Sequence, residues 1–271
     1  MPIGGRLRGL RKSLTPEAAE SSAAMPPPVD RTQRVVTVLG MHRSGTSSLV
    51  GSLEEAGLPL GEVRTIGGDS NAKGHREPGE LISLHEDVLI TSGGAWHLPP
   101  ATVTWTPSQR ERRDAFIASR AGMPLWGWKE PRTLLVIDGW LEVLPDLGMV
   151  GTFRHPAVVA RSLQRRHGNQ TADMWLDVWL AYNASLLRLA EGRGFPLIDF
   201  DLPAEAYQAR LRGVITELGL GAPGGEGEFF EPSLRASGKQ ASPKMALPAE
   251  VARTYARLVE IAASQAADYS R

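Results

Sequence analysis

Apolar positions follow two alternating periods along this chain. Residues 35–39 form a short β-branched run, further runs lie at 125–129, 149–153 and 196–200, and each is followed by apolar residues at helical spacing. Leu49, Val50, Leu53 and Ala56 mark the first helix, with Gly57 placed as its C-terminal cap. Pro78 opens a second, carrying Leu81, Ile82, Leu84, Val88 and Leu89, and Thr106-Pro107 opens a third over about 107–121. Helices are predicted again after residue 133, after Pro156, from Ala172, over 203–218 and over 248–268. The long stripe Trp175, Val178, Trp179, Tyr182, Leu186 and Leu189 reads as core packing rather than a stacking platform for a ligand. Strands separated by helices predict an α/β fold of three layers, a central parallel sheet with helices on both faces. Ligands bind such sheets at the carboxyl ends of the strands.

Composition narrows the field. Thirty basic and thirty acidic residues cancel, so no global field draws in nucleic acid or an anionic membrane. The absence of cysteine excludes disulfides, thiolate metal sites and a cysteine nucleophile, and an intracellular, cytoplasmic setting is expected. No apolar run reaches the length of a membrane span. Residues 1–33 combine Arg6, Arg8, Arg11 and Lys12 with a Pro26-Pro27-Pro28 run, and are expected to form a basic, disordered tail. Residues 34–271 are expected to form a single domain.

The chemistry starts at the first strand. Gly40-Met41-His42-Arg43-Ser44-Gly45-Thr46-Ser47 links a β run to a helix and matches the GxxxxGK[ST] phosphate loop, except that Thr46 stands where the lysine belongs. Such a P-loop aims backbone N–H groups and a helix N-terminus at an anion. The missing lysine, which would reach the β- and γ-phosphates of a nucleoside triphosphate, points to a different anion, with Arg43 as the loop's own cation. Other strand ends carry Lys129-Glu130-Pro131-Arg132 and Arg154-His155-Pro156, and Ser162 follows Arg154 by eight residues on the next helix. A forked cation and a hydroxyl in that arrangement can converge on a second phosphate. The six histidines lack metal-ligand spacing, and no metal is expected.

These stretches, together with Asn71-Ala72-Lys73-Gly74-His75-Arg76-Glu77 and Trp128-Lys129-Glu130-Pro131-Arg132, resemble the sulfotransferases that use 3′-phosphoadenosine 5′-phosphosulfate (PAPS), in particular their bacterial and carbohydrate-type branch. The resemblance covers about residues 34–240. It implies that Arg43, Ser44, Gly45, Thr46 and Ser47 surround the 5′-phosphosulfate and that Arg154 and Ser162 hold the 3′-phosphate. Arg235 and Lys239 would stand in a basic loop over the nucleotide. Lys129 and Arg43 would stabilise charge at the transferring group. Glu77 is the first candidate for the catalytic base, with helix capping as its competing role, and His75 and Glu130 are the other base candidates. Arg132 either holds a ligand or pairs with Glu130. The implied acceptor is a carbohydrate or small molecule, its pocket shaped by residues 58–105 with Trp96, His97 and Trp105.

Two rival readings stay open. A small-molecule kinase using ATP and magnesium would take Leu134–Asp138 as a strand ending in a metal-holding aspartate. A non-catalytic protein that binds adenosine 3′,5′-bisphosphate (PAP) is the other, since a fold does not fix an activity.

Overall fold

The structure, a computed structural model, describes residues 33–66, 73–168, 170–221, 229–231 and 245–268. The expected tail and the basic loop with Arg235 and Lys239 lie outside the described residues.

Among the described residues, four strands, β1 (Arg34–Leu39), β2 (Leu125–Lys129), β3 (Gly148–Phe153) and β4 (Leu197–Asp199), pair in the order β2-β1-β3-β4, all parallel. The chain passes from β1 to β2 on one side, then crosses to β3 on the other. That reversal places a ligand crevice at the carboxyl end of β1.

Alternation within β1 divides the core. Val35 and Leu39 join one apolar cluster with Trp126, Trp128, Met149 and Phe153, whereas Val36 and Val38 join another with Val150 and Ile198. The first layer is closed by α2 (Gly79–Thr91), α3 (Pro107–Ala118), α4 (Thr133–Leu141), α5 (Pro156–His167), α6 (Ala172–Arg193) and α8 (Ala249–Asp268). The second is closed by α1 (Thr46–Glu55) and α7 (Ala204–Glu217). The three-layer expectation is met, with helices on both faces of a parallel sheet.

Local chemistry accounts for the helix starts. Thr106 and Gln109 form a reciprocal capping box on α3, and the Thr171 hydroxyl accepts from the Met174 N–H on α6. Trp175 and Trp179 are buried, as core packing requires. The charged side of α3 departs from its expected solvated role. Arg113 is buried, donates to the Gly139 carbonyl and pairs with Asp114 and Glu142, so it fastens α3 to the end of α4. Trp105, expected in an acceptor pocket, is 5% exposed and packs edge-on against Trp140 and His85. Among the described residues, no helix is long and apolar enough to cross a membrane.

Candidate functional site

The loop from Gly40 to Gly45 turns the chain out of β1 and into α1. Arg43 and Gly45 adopt left-handed backbone angles, with φ 69° and 82°. Gly45 has no substitute, because a β-carbon there would stand 2.2 Å from the Phe200 ring on top of the unfavourable φ. Gly40 is equally confined, since its β-carbon would lie 2.5 Å from the Thr152 carbonyl oxygen. The Thr152 hydroxyl donates to the Ser44 carbonyl at 3.0 Å and ties the loop to β3. Gly45 caps α1 without a side-chain acceptor, which leaves the first-turn N–H groups pointing into the crevice. The Ser44 Oγ is buried and, among the described residues, has no partner. Such a cradle suits an anion, and its Ser44 hydroxyl is uncommitted among the described residues.

Two polar clusters flank the cradle. On the β3 side, Arg43 Nε donates to Ser162 Oγ at 3.0 Å and Arg154 Nη1 donates to the Arg43 carbonyl at 3.4 Å. Arg154 and Ser162, expected together at a second phosphate, meet Arg43, expected at the other anionic group. Burial, and then the like charges of Arg166, Arg154 and Arg165, hold the Arg43 guanidinium below its ordinary pKa. Asp201 orients Arg154. One carboxylate oxygen accepts from Arg154 Nε at 2.9 Å, and the other accepts from the His155 N–H at 3.0 Å, just before α5 begins. Asp201 was missed in the sequence; its only signal is a carboxylate two residues past the last strand.

On the β2 side, Lys129 Nζ donates to Ser47 Oγ at 3.2 Å and to Glu77 Oε1 at 2.7 Å. Ser47 Oγ in turn donates to the His75 carbonyl at 3.3 Å. Lys129 is 1% exposed; burial lowers its pKa and the Glu77 carboxylate pulls it back up. A cation thus stands beside the loop after all, supplied by the neighbouring strand instead of position 46. Glu77 does not cap α2, whose N-cap is Pro78 with no side-chain cap bond. Its carboxylate is turned instead to Lys129 beside the loop. The His75 imidazole is held below its usual range, first by burial and then by the net effect of Glu77, Lys129 and nearby arginines.

Glu130 is no base. It is fully buried, accepts from His85 Nδ1–H at 2.6 Å and from Arg132 Nη1 at 2.5 Å, and is pushed down to about 2 by those bonds against the cost of burial. The Trp140 indole N–H donates to His85 Nε2 at 3.0 Å, which fixes the tautomer. Arg132 completes the network through Glu86 at 2.8 Å, so pairing with Glu130 describes it. Asp138, which the kinase reading would place at a strand end, lies in α4 and pairs with Arg188 on an exposed face. Among the described residues, no cluster of ligating side chains fits a metal ion.

His42, inside the loop, packs on Trp96 with ring centroids 4.8 Å apart and on Tyr182 at 6.0 Å. Its Nε2 is buried without a partner among the described residues, and burial followed by the charge of Arg132 lowers its pKa to about 3. Trp96 is half-buried, flanked also by His97 and His167, and forms a wall beside the crevice.

Arg154→Ala tests the first cluster. It is expected to weaken a bound phosphate by about 1.5–3 kcal/mol, the usual worth of a charged hydrogen bond. Calorimetric titration with PAP, the nucleotide that the sequence resemblance implies, measures this, and an unchanged affinity would remove Arg154 from the expected phosphate site.

No known family profile and no curated protein sequence matches the chain. Solved structures do. The sulfotransferase domain of the olefin synthase from Synechococcus PCC 7002 superposes with a TM-score of 0.53 at 17% identity, covering 86% of this chain and 97% of that one. A sulfotransferase from Mycobacterium tuberculosis H37Rv gives a TM-score of 0.50 at 15% identity, covering 84% and 77%. With its parallel sheet, lysine-less loop and flanking clusters, the chain has the fold of the bacterial sulfotransferases.

Proposed function

We propose that the protein is a PAPS-dependent sulfotransferase that passes a sulfuryl group to a hydroxyl or amine of a carbohydrate or small-molecule acceptor. The observation that carries this reading is the convergence of Arg43, Arg154 and Ser162 on one side of the phosphate loop while Lys129, Ser47 and Glu77 converge on the other. Two polar clusters about one cradle, each holding at least one cation, suit a ligand with two separated anionic groups. The donor set fits PAPS: loop N–H groups, the unpartnered Ser44 hydroxyl and Lys129 for the phosphosulfate, Arg154 and Ser162 for the 3′-phosphate.

PAPS held by these residues would supply an activated sulfuryl group and a phosphate oxygen able to take the electron pair of the bridging bond. The chain's residues do the rest. Lys129 and the first turn of α1 stabilise negative charge where it develops, and their fixed positions spare reorganisation during the reaction. Glu77 Oε1 is held by Lys129, so the carboxylate is oriented, and its second oxygen receives the acceptor proton as the new bond to sulfur forms. Ser47 links the loop to the segment bearing His75 and Glu77, keeping base and cradle in register.

A thermal-shift titration tests the reading. PAP is expected to raise the melting temperature without magnesium, by mass action on the folded state. Stabilisation by ATP with magnesium but not by PAP would sink it, and PAP binding without transfer to any acceptor in a broad screen would leave a non-catalytic binder.

A further inference from the structure

Helix α5 contributes more to the crevice than Ser162. Arg165 and Arg166 follow Ser162 by three and four residues, so they continue the face whose hydroxyl accepts from Arg43. Both are exposed, and among the described residues neither has an ion pair. The acids near the crevice are committed elsewhere: Glu77 to Lys129, Glu130 to His85 and Arg132, and Asp201 to Arg154.

Arg166 directly precedes His167, and its charge lowers the pKa of Arg43, His42, His75 and His167. Those histidines border the Glu77 side and the Trp96 wall. The wall is continuous, with His167 5.4 Å from Trp96 and Trp96 4.8 Å from His42 by ring centroids. On α5, Arg166 lies between Ser162, which holds Arg43, and His167, which packs on Trp96, so it stands where the loop cluster meets the aromatic wall.

We propose that the acceptor is itself an anion, bearing a carboxylate, sulfate or phosphate group beside the reacting hydroxyl or amine, and that Arg166 reads that charge while Trp96 supports its ring or carbon frame. This rests on the sulfotransferase reading. An exposed guanidinium beside the aromatic wall, without an ion pair among the described residues, presents a fork matched to such a group. Arg166 is a specificity residue and takes no part in proton transfer.

The test is a sodium sulfate titration of the protein saturated with PAP, read by melting temperature against sodium chloride of equal ionic strength. Wild-type protein should gain further stability from sulfate. Arg166→Gln should weaken the apparent sulfate affinity about tenfold, the loss of one charged hydrogen bond, with PAP affinity nearly unchanged. If sulfate adds nothing to the PAP complex, or if Arg166→Gln weakens PAP as much as sulfate, the inference is overturned while the sulfotransferase reading stands. If PAP itself does not bind, that reading falls and takes the inference with it. Labelled-sulfate transfer into cell extract gives a second readout. The product should carry an acidic group in addition to its new sulfate, and a product carrying no other anionic group would overturn the assignment.

Discussion

Lys129→Met is expected to cost about 3–5 kcal/mol of folding stability, because it leaves the Glu77 carboxylate largely buried without its cation. The ammonium is 1% exposed and its partner 12%, so water cannot replace the lost contact. Turnover should fall by roughly two to three orders of magnitude, the usual effect of removing a charge-stabilising donor. Denaturant midpoints separate the two consequences. Adding Glu77→Gln to Lys129→Met removes the unpaired charge, so the double variant should recover much of the stability and none of the activity. Such non-additivity is the signature of a coupled pair. A Lys129→Met protein as stable as wild type would show that the pair contributes little to folding.

Acid should unfold the protein early, with His42 responsible for the first part of the loss. Its pKa is about 3 in the folded chain against an ordinary 6.5, so below pH 6.5 the unfolded chain takes up a proton that the folded chain refuses. Stability is therefore lost as pH falls from 6.5 towards 3 and is unaffected by this group above that window. The loss reaches about 2 kcal/mol by pH 5 and at most about 5 kcal/mol at the lower end. Glu130, lowered from 4.5 to about 2, adds a loss of the same sign over that lower range. Urea midpoints measured from pH 7.5 to 5 should decline more steeply for wild type than for His42→Asn, whose remaining decline comes from the other histidines held below their ordinary pKa, His75, His155 and His167. Parallel curves would mean that folded His42 accepts a proton normally.

Much of the architecture was legible because it is written locally. Strand and helix periods, Pro156 at the start of α5 and the glycines of the loop are each decided by residues within a turn or two. Arg154 and Ser162 could be paired because only a strand end and less than two helix turns separate them. What escaped was decided by partners far apart in sequence. Glu77 and Lys129 are 52 positions apart, and His85 and Glu130 are 45 apart. Their pairing follows from sheet order, which local spacing does not encode. Glu130 therefore read as an available base although the fold spends it on His85 and Arg132. Arg113 read as solvated for the same reason: a run of charges on α3 gives no hint that one of them will be buried against α4. Trp105 and Trp96 could not be told apart, yet one is core and the other lines the crevice.

In the pairing of β1 with β2, Val38 stands opposite Lys129. Side chains alternate along β2, so Trp126 and Trp128 enter one layer and Lys129 meets the loop on the other. A slip of one position would exchange the two faces, driving an ammonium into the tryptophan layer and turning indoles towards Ser47. The cation beside the loop thus also acts as a proofreader of strand alignment: only a correctly assembled sheet can charge the site.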